Sequence, residues 1–158
     1  MNPADTLEGL AIAQAMRDSP WLYPAVEIAH ILGFTVLVGA TFMFDLRVLG
    51  LSRQISVRAL SRHLLPWSMG ALLVIVPTGL MMFAAHAEDL LDNGAFELKM
   101  ALLLAAGMNA AMFRTGPYQT VKSWDTNATA PLLARASVAL SIALWIGVIS
   151  CGRMIAYL

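Results

Sequence analysis

Long apolar runs dominate the chain. Ile28 to Phe44 carries no charge apart from any on His30, and Leu64 to Ala85 is an apolar run without a charged residue. Runs near ~20 residues match the hydrocarbon core of a bilayer. Two more follow: Ala95 to Phe113, interrupted only by Glu97 and Lys99, and Leu132 to Leu158, with Arg153 close to its end. None alternates with a period of two, and lipid cannot satisfy an exposed strand edge, so all four are read as helices. With their polar flanks the predicted spans are about 24–47, 63–86, 95–114 and 132–157. The expected fold is all-α, a four-transmembrane-helix bundle forming a single integral membrane domain over 1–158. Leu7, Leu10, Ala11 and Ala15 recur at helical spacing before a Ser19-Pro20 break and the aromatics Trp21 and Tyr23, which predicts a short N-terminal interfacial helix over 5–18. Glu8, Gln14 and Arg17 interrupt its apolar stretch, which argues against a cleavable signal peptide.

Composition agrees with burial in lipid. Of the 158 residues, 59% are hydrophobic and 13% charged, with a mean hydropathy of +0.71. Soluble domains run at about 45–50% apolar and about 25% charged. Ten Lys+Arg balance ten Asp+Glu, and no basic tract is long enough to hold a phosphate backbone, so no nucleic-acid partner is expected. The lone Cys151 excludes an intramolecular disulfide, a Cys-based zinc site and an iron–sulfur cluster held by this chain alone.

Charge placement sets an expected orientation. Arg47, Arg53, Arg58 and Arg62 surround the first linker, and Arg114, Lys122 and Arg135 the third. Under the positive-inside rule both linkers are cytoplasmic. Asp5, Glu8, Asp18, Glu27, Glu88, Asp89, Asp92 and Glu97 fall on the other side. The expected location is the bacterial inner membrane, multi-pass, with both termini periplasmic.

A polar side chain at the centre of a span costs roughly 2.5–3.5 kcal/mol on insertion scales, so each calls for a partner or a task. Counted from the inner helix ends at 1.5 Å per residue, His30 lies about 25 Å up, Lys99 about 22 Å, Arg153 about 27 Å and His86 about 34 Å. The outer half thus collects Glu27, His30, His86, Glu97, Lys99 and Arg153, leaving Asp45, Arg47 and His63 at the inner end. The bland reading has Lys99 and Arg153 snorkelling outward, Glu27 pairing with one of them, and the histidines bonded to backbone carbonyls. His30 is deeper and has no long stem, which favours a functional role.

Four packing features are expected. Pro66, Gly70, Leu73, Pro77, Leu80 and Ala84 form a stripe for close helix approach, and on the third helix Lys99, Ala106, Asn109 and Phe113 fall on one face, with Ala101, Ala105, Met108 and Met112 on another. Asn109 should bond across to a neighbouring helix, and the Thr78 hydroxyl should help satisfy the backbone that Pro77 disrupts.

Ten methionines, with Met81-Met82 near His86, raise copper as a soft-ligand alternative, although no Met-x-x-Met array is present. No nucleophile with a spaced base, phosphate loop or His-Glu-x-x-His is present.

The segments Pro24–Gly33, Asp45–Gly50, Leu65-Pro66-Trp67, Thr78-Gly79, Phe96–Lys99 and Trp145–Tyr157 resemble, across essentially the whole chain, a family of uncharacterised bacterial four-span membrane proteins, a domain of unknown function. More distantly, the first-helix His30 followed by Gly33, and Phe96-x-x-Lys99 opening a later helix, are similar to the CopD-type copper-resistance domain and to the HemJ-type protoporphyrinogen oxidase. The second likeness implies haem b held with the help of His30 and Lys99. The first-helix Trp and the Leu-Pro-Arg element of that oxidase have no counterpart between Val36 and Arg47. Four-helix bundles commonly build cofactor sites on facing helices.

The resulting expectation is a membrane-embedded b-type haem protein passing electrons between the quinone pool and a periplasmic-side partner. His30 and His86 are the candidate axial ligands, with Lys99 or an open position as the alternative to His86, and Lys99 and Arg153 face the propionates. The alternative is a non-redox transporter, copper-handling or assembly component with a structural His/Glu/Lys network. A second copy of the chain is a further candidate partner.

Overall fold

The computed structural model describes residues 3–157, which leaves Leu158, the end of the fourth apolar run, outside it together with the side chain of Asp5. Two short helices come first, α1 (Pro3–Glu8) and α2 (Ala11–Asp18). The long α3 (Leu22–Leu49) and α4 (Val57–Ala85) follow, then the five-residue α5 (Ala87–Leu91), α6 (Gly94–Thr115), a 3-10 turn (Pro117–Ser123) and α7 (Leu132–Met154). No strand occurs among the described residues. α3, α4, α6 and α7 are long and apolar enough to cross a membrane, and the protein is a multi-pass membrane protein with a lipid environment.

Local chemistry sets the helix ends. Pro24 lies in the first turn of α3, where a missing N–H leaves no intrahelical bond unmade. α3 stops at Gly50, whose φ of 118° is left-handed; the Gly50 N–H bonds to Arg47 O and the Leu51 N–H to Leu46 O. α4 begins six residues before the expected span, because the Ser56 hydroxyl accepts from the Ala59 N–H at 3.1 Å. Asn93 caps α6, its Oδ1 accepting from the N–H groups of Ala95 and Phe96.

Two expectations are corrected. The single helix over 5–18 is two helices, because Leu10 takes an extended conformation after Gly9. The stripe on α4 faces outward: Pro66, Gly70, Leu73, Pro77 and Leu80 are exposed and only Ala84 is buried. The close approach to α3 runs instead along Ala71, Ile75 and Gly79. A Cβ on Gly33 would stand 3.0 Å from Ile75 Cγ1 and 3.4 Å from the Ala71 carbonyl. The glycine that lets these backbones meet is therefore on α3.

α3 packs along α4 and against α7, and α7 packs along α6, whereas α4 and α6 do not pack along their lengths. The order round the bundle is α4, α3, α7, α6, open between the last and the first. The stacked rings of Phe83 and Phe96, 5.5 Å apart, bridge that opening at the end where both termini lie.

Dense packing is found at the two ends. At the terminal end Met16, Val26 and Ala85 form a cluster, and Arg17 donates to the last carbonyl of α4, Ala85 O, at 2.9 Å. At the opposite, loop end Val48, Val57, Phe113, Trp124, Ala134 and Val138 pack together. Two polar residues bind the loops there. The Arg47 guanidinium, 4% exposed, donates to the carbonyls of Arg53, Ile55 and Asp125. The Asp125 carboxylate accepts from the Ser56 hydroxyl and the Arg58 N–H.

Candidate functional site: a polar interior from His30 to Asp45

Polar side chains occupy successive levels inside the bundle. Nearest the terminal end, the His30 Nδ1 lies 2.9 Å from the Thr78 Oγ1 on α4. The Thr78 hydroxyl has one proton and also reaches the Val74 carbonyl at 2.6 Å and Ile75 O at 3.1 Å. With its proton on a carbonyl the hydroxyl would accept from the imidazole in the tautomer protonated at Nδ1; with its proton turned to the ring it would donate to Nδ1 in the other tautomer. The expected bond from the Thr78 hydroxyl to backbone disrupted near Pro77 is present and also orients the histidine. Gly79 completes the seat, since a Cβ there would lie 3.2 Å from the His30 Cε1.

Lys99 is half-buried on the inward face of α6. Across α7 it lies beside Gly152, where a Cβ would stand 3.9 Å from Nζ. One turn further in, Phe34 and Trp145 meet edge to face at 5.9 Å and tie α3 to α7. Deeper still, Asn109 Nδ2 donates to Ser137 O at 3.0 Å, and the Ser137 hydroxyl donates to Asn109 Oδ1 at 2.9 Å. The interhelical bond expected of Asn109 is thus reciprocal, and Lys99, Ala106, Asn109 and Phe113 do share the inward face of α6 while Met108 and Met112 point out.

The innermost level holds Asp45, 3% exposed, with Ser141 beside its carboxyl. Its Oδ2 has no hydrogen-bond partner. It borders a cavity of about 210 Å³ between all four spanning helices, walled chiefly by Phe44, Leu64, Leu65, Phe113 and Val138. Sequence reasoning placed Asp45 among inner-end charges without a role. The available signal was its position: it lies within α3, which runs on to Leu49, and not in the loop after it.

Two residues grouped with His30 lie elsewhere. His86 closes the C-terminal end of α4, where its ring meets Tyr23 edge-on at 5.3 Å and its buried Nδ1 has no partner. His30 stands beside Thr78 and His86 beside Tyr23, which separates the two imidazoles by about 11 Å along the bundle at 1.5 Å per residue. Together they do not form an axial pair. Arg153 is exposed and bonded to the Tyr157 hydroxyl, its guanidinium 4.8 Å from that ring's centre, so it is not directed at His30. Glu27 and His63 are exposed, and the only ion pair among the described residues is Arg17–Glu8 at 4.0 Å. No group of three or more His, Cys, Asp or Glu side chains that could hold a metal ion occurs among the described residues.

No curated protein and no solved structure matches the chain, so the likeness to the CopD-type and HemJ-type proteins rests on the motif residues alone. A family model matches residues 22–158, all four spanning helices included, and the chain belongs to that family, described as a family of unknown function (DUF6644).

Proposed function

We propose that the protein is a membrane-embedded b-type haem protein in which His30 is the single imidazole ligand, working in electron transfer between the quinone pool and a redox partner at the terminal face. One observation carries this reading: the His30 Nδ1 is bonded to the Thr78 hydroxyl, which sets the orientation of the ring and, in the tautomer with the proton on Nδ1, leaves the Nε2 lone pair for a metal. Imidazoles that bind metals usually donate their other N–H to a fixed acceptor in this way. The residues fit one such ligand better than two, because His86 is about 11 Å too near the terminal end. α4 and α6 do not pack along their lengths, and that is the side from which a flat group would have to reach His30.

When bound, haem supplies one-electron exchange. The chain's own residues hold and orient it: Thr78 fixes the imidazole, Gly79 leaves space for the ring, and Lys99 offers a cation or a second nitrogen ligand. Arg153 keeps to Tyr157. The charge asymmetry of the loops supports placement in a bacterial inner membrane with the terminal face periplasmic.

The test is an absorption spectrum of detergent-purified protein from haem-sufficient cells, oxidised and then dithionite-reduced, for wild type, His30→Ala and His86→Ala. The expected result is a Soret band that His30→Ala abolishes and His86→Ala retains. A colourless wild type would sink the haem reading and favour a non-redox membrane protein. Copper analysis of the same sample separates the copper-handling form of that alternative.

A further inference from the structure

The inner cavity carries a second site that owes nothing to haem. An isolated carboxylate deep in a membrane bundle is costly unless it takes a proton or a cationic partner. Asp45 is 3% exposed and lines the cavity, and its buried Oδ2 has no hydrogen-bond partner. Neighbouring cations do not meet it. Arg47 spends its donors on three loop carbonyls, and Arg114, which also borders the cavity, holds its guanidinium 5.1 Å from the centre of the Tyr118 ring.

We propose that this cavity binds a small organic ammonium ion, its charge on the Asp45 carboxylate and its hydrocarbon part against the apolar walls. The lining chooses between an organic and an inorganic cation. A metal cation such as calcium or magnesium asks for about six oxygens. The Thr41 and Ser68 hydroxyls already donate to carbonyls of their own helices, and Asn109 Oδ1 is taken by Ser137. Most of the remaining wall is aliphatic or aromatic. Phe44 and Phe113 both line the cavity and meet edge to face with centroids at 5.7 Å. An aromatic face attracts a cation, more strongly when water is excluded. The volume of 210 Å³ equals about seven waters at ~30 Å³ each, enough for an amine with one ring.

The experiment is equilibrium dialysis of the full chain in lipid nanodiscs against benzyltrimethylammonium and its uncharged carbon isostere, neopentylbenzene. Wild type is expected to bind the ammonium saturably and at least tenfold more tightly than the isostere. Asp45→Asn should lose that preference and Asp45→Glu keep it. Ala110→Phe, which fills the cavity and leaves the carboxyl in place, should abolish binding and serves if Asp45→Asn fails to fold. Equal binding of the isostere, ammonium binding unchanged in Asp45→Asn, or displacement by sodium ion at equal concentration would each overturn the proposal. None of these results depends on the Soret band, so this site and the haem reading fail separately.

Discussion

His30 and Asp45 stand on the same helix, both face the interior, and meet opposite fates. His30 has a hydroxyl neighbour bonded to its ring and a glycine that makes room for it. Asp45 has a serine on one side and an open cavity on the other. The difference lies in what the adjacent helix offers at each height. Around His30, α4 supplies Thr78 and Gly79; around Asp45, α4 and α6 stand apart and supply mostly hydrocarbon. A polar residue in a membrane bundle is positioned by its neighbour in one place and left available to a ligand in the other.

Five substitutions break or sharpen this contrast. The largest effect is expected for Arg47→Ala, which strips three carbonyls of their donor beside the Asp45 cavity: a loss of about 3 kcal/mol, read as a lower thermal midpoint in detergent. An unchanged midpoint would mean the loop end is not held by this side chain. Gly33→Leu should push α3 from α4 at Ile75 and cost about 2 kcal/mol, while also loosening the His30 seat above it. Thr78→Val should cost about 1 kcal/mol. Its sharper readout is the ¹⁵N chemical shift of the His30 ring: wild type is expected to show a protonated Nδ1, and the variant to lose that preference. Asn109→Ala removes the reciprocal bond to Ser137 and should cost about 0.6 kcal/mol, the average for such bonds within membranes. Smallest of all, Gly70→Ala should gain about 0.5 kcal/mol, because nothing lies within 4 Å of the added methyl. A fall in stability there would show that the outward stripe on α4 is covered by another helix.

Much of the architecture was legible from the runs themselves. A stretch of apolar residues in lipid has to be helical, so the four spans followed from length alone and their ends shifted by only a few residues. The largest shift, at α4, came from Ser56 and Asp125, which lie 69 positions apart and meet only when the two loops fold together. Depth along each helix was also readable, because the rise per residue is constant: His86, placed nearer the terminal end than His30, does meet Tyr23 there while His30 meets Thr78. The face of α4 was not readable. Its Pro/Gly stripe and its Ala71–Ile75–Gly79 face both carry small residues, and the choice was made by Gly33 on another helix. The same limit hid Asp45, whose burial depends on how α6 and α7 close over the inner end of α3.

The chain alone settles that this is a four-span helical membrane protein, and how far along its helix each polar group lies, because backbone hydrogen bonding in lipid and helical rise follow from local covalent structure. Which polar groups meet is decided by helix contact. Rotation about each axis costs little until side chains from other helices interlock, and only then do His30 find Thr78, His86 part from it, and Asp45 come to border an empty space.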